Sequence, residues 1–96
     1  MFVVSLTYLV DLKEVDSHLS DHVDYLERYY ASGHFLASGR KVPRSGGVIL
    51  AKAESREALD AILAEDPFMI HSVAKYDVIE FTATKSSPEL SSLVAH

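Results

Sequence analysis

The sequence predicts an α+β domain of ferredoxin-like type, in which two helices cover one face of a four-stranded antiparallel sheet. Three observations support this fold class. Four segments have the β-branched or alternating apolar pattern of strands, and two segments of helical spacing separate them in the order β-α-β-β-α-β. The length of 96 residues is enough for one domain only.

The first strand and the first helix are predicted from the different spacings at which their apolar residues recur. Residues 2–10 are mainly β-branched or aromatic and alternate between two faces, which predicts a strand. Residues 17–32 form the predicted first helix, with Asp16 or Ser17 as its N-cap and Gly33 at its end. Its apolar residues recur at helical spacing: Val15, Leu19, Val23, Leu26 and Tyr30.

A hairpin and a second helix come next. Residues 34–39 and 48–53 are predicted strands, and the turn-rich segment 40–47 joins them. Ser55 caps the second helix, which ends near Glu65 because the residue before a proline is disfavoured in helical geometry.

The C-terminal part contains the last predicted strand at residues 76–82, after a connection at 68–75 whose form the sequence leaves open. We expect one domain over residues 1–83 and a Ser-, Thr- and Ala-rich tail over 84–96. The tail either is loose or contains one short helix that starts at Ser87-Pro88-Glu89.

Composition excludes several classes of function. Hydrophobic residues make up 48% and charged residues 24%, as in folded globular proteins. Without Cys there is no disulfide, thiolate metal site or cysteine nucleophile. The net charge of −5, with no long basic stripe, argues against nucleic acid as a partner. No apolar run approaches the ~20 residues that cross a bilayer, and no signal peptide is recognisable, so we expect a cytoplasmic protein without membrane contact.

The sheet face opposite the helices is expected to carry apolar residues. Val3, Leu9, Tyr76 and Val78 occupy alternating strand positions that cannot all point toward the helices. An uncovered apolar sheet face is a liability in a monomer, and a second copy covers it symmetrically. We therefore expect a homodimer, with higher assembly left open.

Two residues with acid–base chemistry map to one end of this fold. His22 lies on the apolar side of the first helix, three residues after Leu19 and four before Leu26. Asp66 precedes Pro67 at the end of the second helix. A carboxylate that accepts from one imidazole nitrogen fixes the tautomer and leaves the second nitrogen free to take or give a proton. The alternative for His22 is a core histidine, and for Asp66 a turn residue that ends a helix.

These residues, together with Gly33, Ser38-Gly39 and above all Asp66-Pro67-Phe68, resemble the YciI-like (YCII-related) domain family over residues 2–82. The resemblance implies a single ferredoxin-like domain that dimerises in the manner of dimeric α/β barrels. It also implies His22 and Asp66 as the active site, with no cofactor.

The surrounding substrate contacts predicted with the resemblance are Ser38, Gly39, Arg40, Pro67 and Phe68. Two positions depart from the family pattern. Leu19 stands where the family often has an arginine, and Arg40 where it often has a proline. One branch of the family resembles dehydrochlorinases of chlorinated hydroxyquinols. The resemblance thus implies proton transfer or elimination on a small, aromatic or anionic metabolite, without identifying the substrate.

Other interpretations remain open from the sequence. His18, His22 and His71 offer a metal-ligand spacing, although no Glu accompanies the helical pair in a hydrolytic motif. Arg40, Lys41 and Arg44 form either a solvated hairpin or an anion-attracting rim. Tyr8, Tyr29 and Tyr30 either pack in the core or line an aromatic pocket. At the level of function, the alternatives to the enzyme are a dimeric module that binds a small molecule without transforming it, and an oxygenase of the dimeric α/β-barrel type.

Overall fold

The computed structural model describes residues 1–95 and has the predicted ferredoxin-like order. The four strands are β1 (Phe2–Tyr8), β2 (Phe35–Arg40), β3 (Gly46–Ala51) and β4 (Ala74–Glu80). The four α-helices are α1 (Leu12–Ser17), α2 (Leu19–Ala31), α3 (Arg56–Leu63) and α4 (Pro67–Ile70). None of the helices in residues 1–95 has the length and hydropathy needed to span a bilayer.

The sheet has the strand order β2-β3-β1-β4, and all neighbouring strands are antiparallel. Alternate residues of β1 point toward α2 and α3 and are buried: Phe2, Val4 and Leu6. They pack against Tyr25 of α2 and Leu59 of α3 in a single core. Burial of one sheet face under two helices is thus the main source of hydrophobic stabilisation.

The first helical segment differs from the prediction in where it begins. Asp11, rather than Asp16 or Ser17, is the N-cap, and its Oδ1 accepts from the backbone N–H of Glu14 at 2.9 Å. The chain therefore becomes helical at Leu12, and α1 and α2 meet at His18, which has non-helical backbone angles. Ser17 lies inside α1 and donates its hydroxyl to the Glu14 carbonyl instead.

Two strands begin earlier in the chain than predicted. β3 begins at Gly46 rather than Val48 because Gly46 and Gly47 pair with Thr7 and Leu6 of β1. β4 begins two residues before Tyr76, and the connection left open by the sequence contains α4. A predicted Ser55 cap is confirmed, since its Oγ accepts from the N–H of Ala58 at 3.0 Å.

The tail contains one of the two predicted forms. A 3₁₀ helix spans Pro88–Leu93, and the Ala95 N–H donates to the Ala83 carbonyl. The division into a domain at 1–83 and a tail at 84–96 stays a prediction, and His96 lies outside the described residues.

Strand register places the outer sheet face differently from the expectation. Tyr76 and Val78 stand opposite Leu6 and Val4, so both point toward the helices and pack against the core. The sequence offered both as candidates for the outer face, because it leaves the register of β4 open. The outer face carries Lys75 and Asp77 at the β4 edge. It also carries four apolar side chains, Val3, Val48, Leu50 and Ile79.

β2 contains an irregularity that changes which side chains share a face. Phe35 pairs with Ala51 and Ala37 with Leu50, so Leu36 is an extra residue, a β-bulge. After it, Ser38 stands opposite Ile49 and Arg40 opposite Gly47. Ser38 and Arg40 consequently face the helix-covered side of the sheet.

The close pairing of β3 with β1 requires a glycine at Gly46. A Cβ at this position would lie 1.8 Å from the carbonyl oxygen of Leu6, which is backbone and cannot rotate away. We predict that Gly46→Ala lowers the free energy of unfolding by about 1–3 kcal/mol or more, the cost of overpacking a core. Denaturant unfolding measures this change. Gly39→Ala is the matched control, because a Cβ there meets no atom within 4 Å. Equal stability of the two variants would contradict the prediction.

Candidate active site

His22 is held at the sheet-facing side of α2. It lies at the end of the first turn, and His22 and Tyr25 are the two buried residues of this helix. Its exposed fraction is 9%, so the imidazole is nearly removed from solvent. A polar ring in this position requires a hydrogen-bond partner within the protein.

Asp66 supplies that partner from the junction between α3 and α4. It is the N-cap of α4 and has the extended backbone angles favoured before a proline. Pro67 occupies the first helical turn, where its missing N–H costs no hydrogen bond. The Asp66 side chain has 0% exposure, and its Oδ1 accepts from the N–H of Phe68 at 2.9 Å. The Asp-Pro-Phe sequence thus builds a local cap that fixes the direction of the carboxylate.

The imidazole of His22 is fixed by two contacts. Its Nδ1 lies 2.8 Å from Oδ1 of Asp66. The Phe68 ring stacks on it with centroids 3.9 Å apart and planes inclined by 1°. The hydrogen bond sets the rotation of the ring within its plane and the stack sets the plane itself.

The hydrogen bond also determines the tautomer. Nδ1 donates to the carboxylate, so the lone pair of neutral His22 is on Nε2. Nε2 has no hydrogen-bond partner within residues 1–95. Every side-chain nitrogen or oxygen that is fully buried in these residues does have a partner. Nε2 is therefore accessible, and it is the atom available for proton transfer.

Tyr76 of β4 is a third partner of the carboxylate that sequence reasoning did not find. Its hydroxyl donates to Oδ2 of Asp66 at 2.5 Å. Burial raises the pKa of Tyr76 far above its usual range, and the nearby Asp66 charge raises it further. The sequence carried no signal for this contact, because the register of β4 decides which face Tyr76 occupies.

A cavity of about 190 Å³ opens beside His22. Its floor is formed by β1 and β3, and one wall by α2 and α4. The apolar lining residues on the helix-covered side of the sheet are Leu6, Tyr8, Leu19, Val23, Leu26, Ile49 and Phe68. The polar side chains, apart from the Tyr8 hydroxyl, are His22, Ser38 and Arg40. The cavity therefore combines an accessible imidazole nitrogen with a mainly apolar lining and one cationic group.

Comparison with known families bears on this site. The model of the YCII-related domain matches residues 1–82. The chain belongs to the YCII-related family. No curated protein sequence matches it significantly.

A solved structure of another YCII-family protein has a similar fold. It is the 5-chloro-2-hydroxyhydroquinone dehydrochlorinase TftG from Burkholderia phenoliruptrix AC1100, in complex with 2,5-dihydroxybenzoquinone. The TM-score is 0.74 at 17% sequence identity, and the match covers 85% of this chain and 93% of that chain. At this identity the similarity establishes the fold, which agrees with the predicted class.

In this YCII-related protein, the residues predicted as substrate contacts are not all at the cavity. Ser38, Gly39, Arg40 and Phe68 line it, whereas Pro67 does not. Ser38 also shares a hydrogen bond with the hydroxyl of Tyr30. Pro67 acts one step away, because it starts α4 and so places Phe68 against His22.

The three cations of the hairpin have separate environments. Arg44 pairs with Asp16 at 2.5 Å, a contact that raises the pKa of Arg44 and lowers that of Asp16. Lys41 donates to Oγ1 of Thr7 at 3.2 Å. Arg40 lines the cavity and has no ion-pair partner within residues 1–95. The predicted rim is therefore reduced to Arg40.

The structure also bears on the two other interpretations that the sequence left open, a metal site and an aromatic pocket. The rings of His18 and His71 stack on each other, with centroids 4.2 Å apart, and His22 is turned to Asp66. Within residues 1–95, no three His, Cys, Asp or Glu side chains are grouped so that they could hold a metal ion. Tyr8 lines the cavity, while Tyr29 and Tyr30 pack against the core.

Proposed function

We propose that this protein is a small cofactor-independent enzyme that uses His22 and Asp66 as an acid–base pair for proton transfer or elimination. The observation that carries the proposal is the state of the imidazole. Nδ1 is occupied by a fully buried carboxylate, Nε2 has no hydrogen-bond partner within residues 1–95, and His22 lines the adjoining cavity. A histidine held in one tautomer beside a ligand-sized cavity is suited to general acid–base catalysis.

The chemistry requires a proton transfer and the departure of a leaving group. As Nε2 removes a proton from a hydroxyl or acidic C–H of the substrate, the electron pair moves through the substrate and expels the leaving group with its bonding pair. Asp66 stabilises the imidazolium that forms, in the way a buried carboxylate supports a catalytic histidine. The products are the unsaturated compound, the leaving anion and a proton that returns to water from Nε2. No oxidant or reductant enters this balance.

Cavity shape and family membership together support a proposal for the substrate class. An apolar cavity of ~150 Å³ accommodates benzene, so one of about 190 Å³ fits a single ring with small substituents. The cationic Arg40 and the hydroxyl of Ser38 suit an oxygen-bearing or anionic ring. The dehydrochlorinase TftG, which shares the fold, was solved with a dihydroxybenzoquinone. We therefore favour a small oxygenated aromatic compound, with chloride as one candidate leaving group.

The outer sheet face supports a homodimer as part of the same proposal. Ile79 is 63% exposed, and Val3, Val48 and Leu50 lie beside it on the outer face of neighbouring strands. A contiguous apolar sheet face is stabilised when a second copy covers it. In such a dimer each helix-covered face keeps its own cavity.

Removal of the acid–base pair should abolish turnover. We predict that His22→Ala loses nearly all activity, and that Asp66→Asn loses a factor of about 10² to 10⁴, the range for positioned acid–base assistance. The assay measures chloride release and absorbance changes with a panel of chlorinated and hydroxylated aromatic compounds.

His18→Ala is the matched control, because this histidine stacks on His71 and does not line the cavity. Full turnover by His22→Ala would overturn the acid–base proposal. Compounds that bind the wild-type protein but are never transformed would support a non-catalytic binding module instead.

Arg40 should govern affinity for anionic ligands. We predict that Arg40→Gln raises KM or Kd for an anionic aromatic compound by about twofold to fivefold, the effect of an exposed ion pair. Its effect on kcat should be smaller, and the salt dependence of binding should flatten. Arg44→Gln is the control, since Asp16 already neutralises Arg44. Equal effects of the two variants would show that Arg40 makes no specific contact.

A charge on the outer sheet face should dissociate the dimer. We predict a wild-type mass of about twice 10.6 kDa by light scattering on a sizing column. Ile79→Lys should give the monomer mass, because burial of an unpaired charge costs several kcal/mol. Ile70→Lys is matched in exposure at 61% but lies on α4, so it should remain dimeric. A monomeric wild type at high concentration would contradict the proposal.

A further inference from the structure

We propose that Tyr76 is a positioning residue of this site, which acts through Asp66 and controls how strongly the carboxylate holds the Nδ1 proton of His22. The inference deepens the proposed function and rests on it for the catalytic consequence. Its structural part concerns only the three side chains and can be tested without a substrate.

The two oxygens of Asp66 have different partners. Oδ1 accepts from Nδ1 of His22 at 2.8 Å and from the N–H of Phe68 at 2.9 Å. Oδ2 accepts from the Tyr76 hydroxyl at 2.5 Å and from no other group of residues 1–95. Because Asp66 is fully buried, water does not replace a lost donor without a rearrangement. Tyr76 is thus the sole support for the charge on Oδ2.

The charge on the carboxylate is shared between its oxygens. A strong donor at Oδ2 withdraws electron density and limits the pull of Oδ1 on the Nδ1 proton. Loss of this donor concentrates charge on Oδ1 and draws the proton from His22 toward Asp66. The hydroxyl of Tyr76 therefore sets the balance of the hydrogen bond that defines the tautomer of His22.

Tyr76 is suited to this role because it stays a donor. Burial, and next the charge of Asp66, raise its pKa far above neutral pH. Its ring is held by its place in β4, where it stands opposite Leu6 of β1, a residue that lines the cavity. The edge strand β4 consequently contributes to the acid–base site as well as to the sheet.

Tyr76→Phe removes only the hydroxyl, and Tyr25→Phe is a matched control. Tyr25 is 1% exposed, and its hydroxyl donates to the Ile62 carbonyl at 2.8 Å rather than to Asp66. The measurement is the ¹⁵N NMR spectrum of histidine-labelled protein, with His22 assigned by its loss in His22→Ala. We expect Tyr76→Phe to move the Nδ1 resonance of His22 toward the value of an unprotonated nitrogen, and Tyr25→Phe to leave it in place.

Replacement of Tyr76 by 3-fluorotyrosine is the second variant, and it keeps the shape and the hydrogen bond. Its hydroxyl is a stronger donor, so the Nδ1 resonance should move in the opposite direction. This variant also decides the question if Tyr76→Phe does not fold. An unchanged His22 resonance in 3-fluorotyrosine protein, or equal shifts in the two phenylalanine variants, would overturn the proposal.

A turnover assay distinguishes failure of this inference from failure of the proposed function. With a substrate found in the panel, Tyr76→Phe should lower kcat by about 10- to 100-fold, the range for outer partners of metal-ligating histidines, while KM changes little. Shifted resonances with a fully active His22→Ala protein would retain the Tyr76 coupling and refute the acid–base function. Unshifted resonances with an inactive His22→Ala protein would refute the role of Tyr76 and retain the function.

Discussion

A carboxylate that has no contact with solvent must find all its donors inside the protein, and this constraint organises the molecule around Asp66. Its donors come from α4 and β4, which follow it closely in the chain, and from His22 of α2, which lies 44 residues away in sequence. The short helix α4 starts at Asp66 itself. The carboxylate that orients His22 therefore also links α2, the start of α4 and β4 through hydrogen bonds.

Under the proposed function, ligand recognition and acid–base chemistry belong to opposite sides of the cavity. His22 lies on its helix side and is held by Asp66 and the Phe68 ring. Ser38 and Arg40 lie on its sheet side, at the end of β2. A ring between these walls would have its polar substituents at one end and Nε2 at the other. Substitutions in β2 can then change the ligand without disturbing the buried hydrogen bonds of Asp66.

Much of the fold followed from the sequence because apolar periods and the order of elements determine the topology. That topology places His22 and Asp66 at one end, where the structure shows their hydrogen bond. The role of Tyr76 did not follow, because the partner of a phenol depends on strand register, and the face of β4 was unknown until its pairing with β1 was seen. The start of α1 was missed because Asp11, Asp16 and Ser17 are equally good N-caps by residue type. Of the three, Asp11 has the extended backbone that an N-cap requires, whereas the other two lie inside α1.

The position of the bulge at Leu36 decides which side chains of β2 line the cavity. If Leu36 paired with Leu50 in a regular ladder, Ala37 and Gly39 would stand opposite Ile49 and Gly47, and the side chains of Ser38 and Arg40 would turn to the outer face. Deletion of Leu36 would not have this effect, because Ser38 and Arg40 would keep their partners on β3. Movement of the bulge from Leu36 into the hairpin loop would exchange the polar half of the lining in a single step. Point substitutions that keep the bulge in place would need several independent changes for the same result.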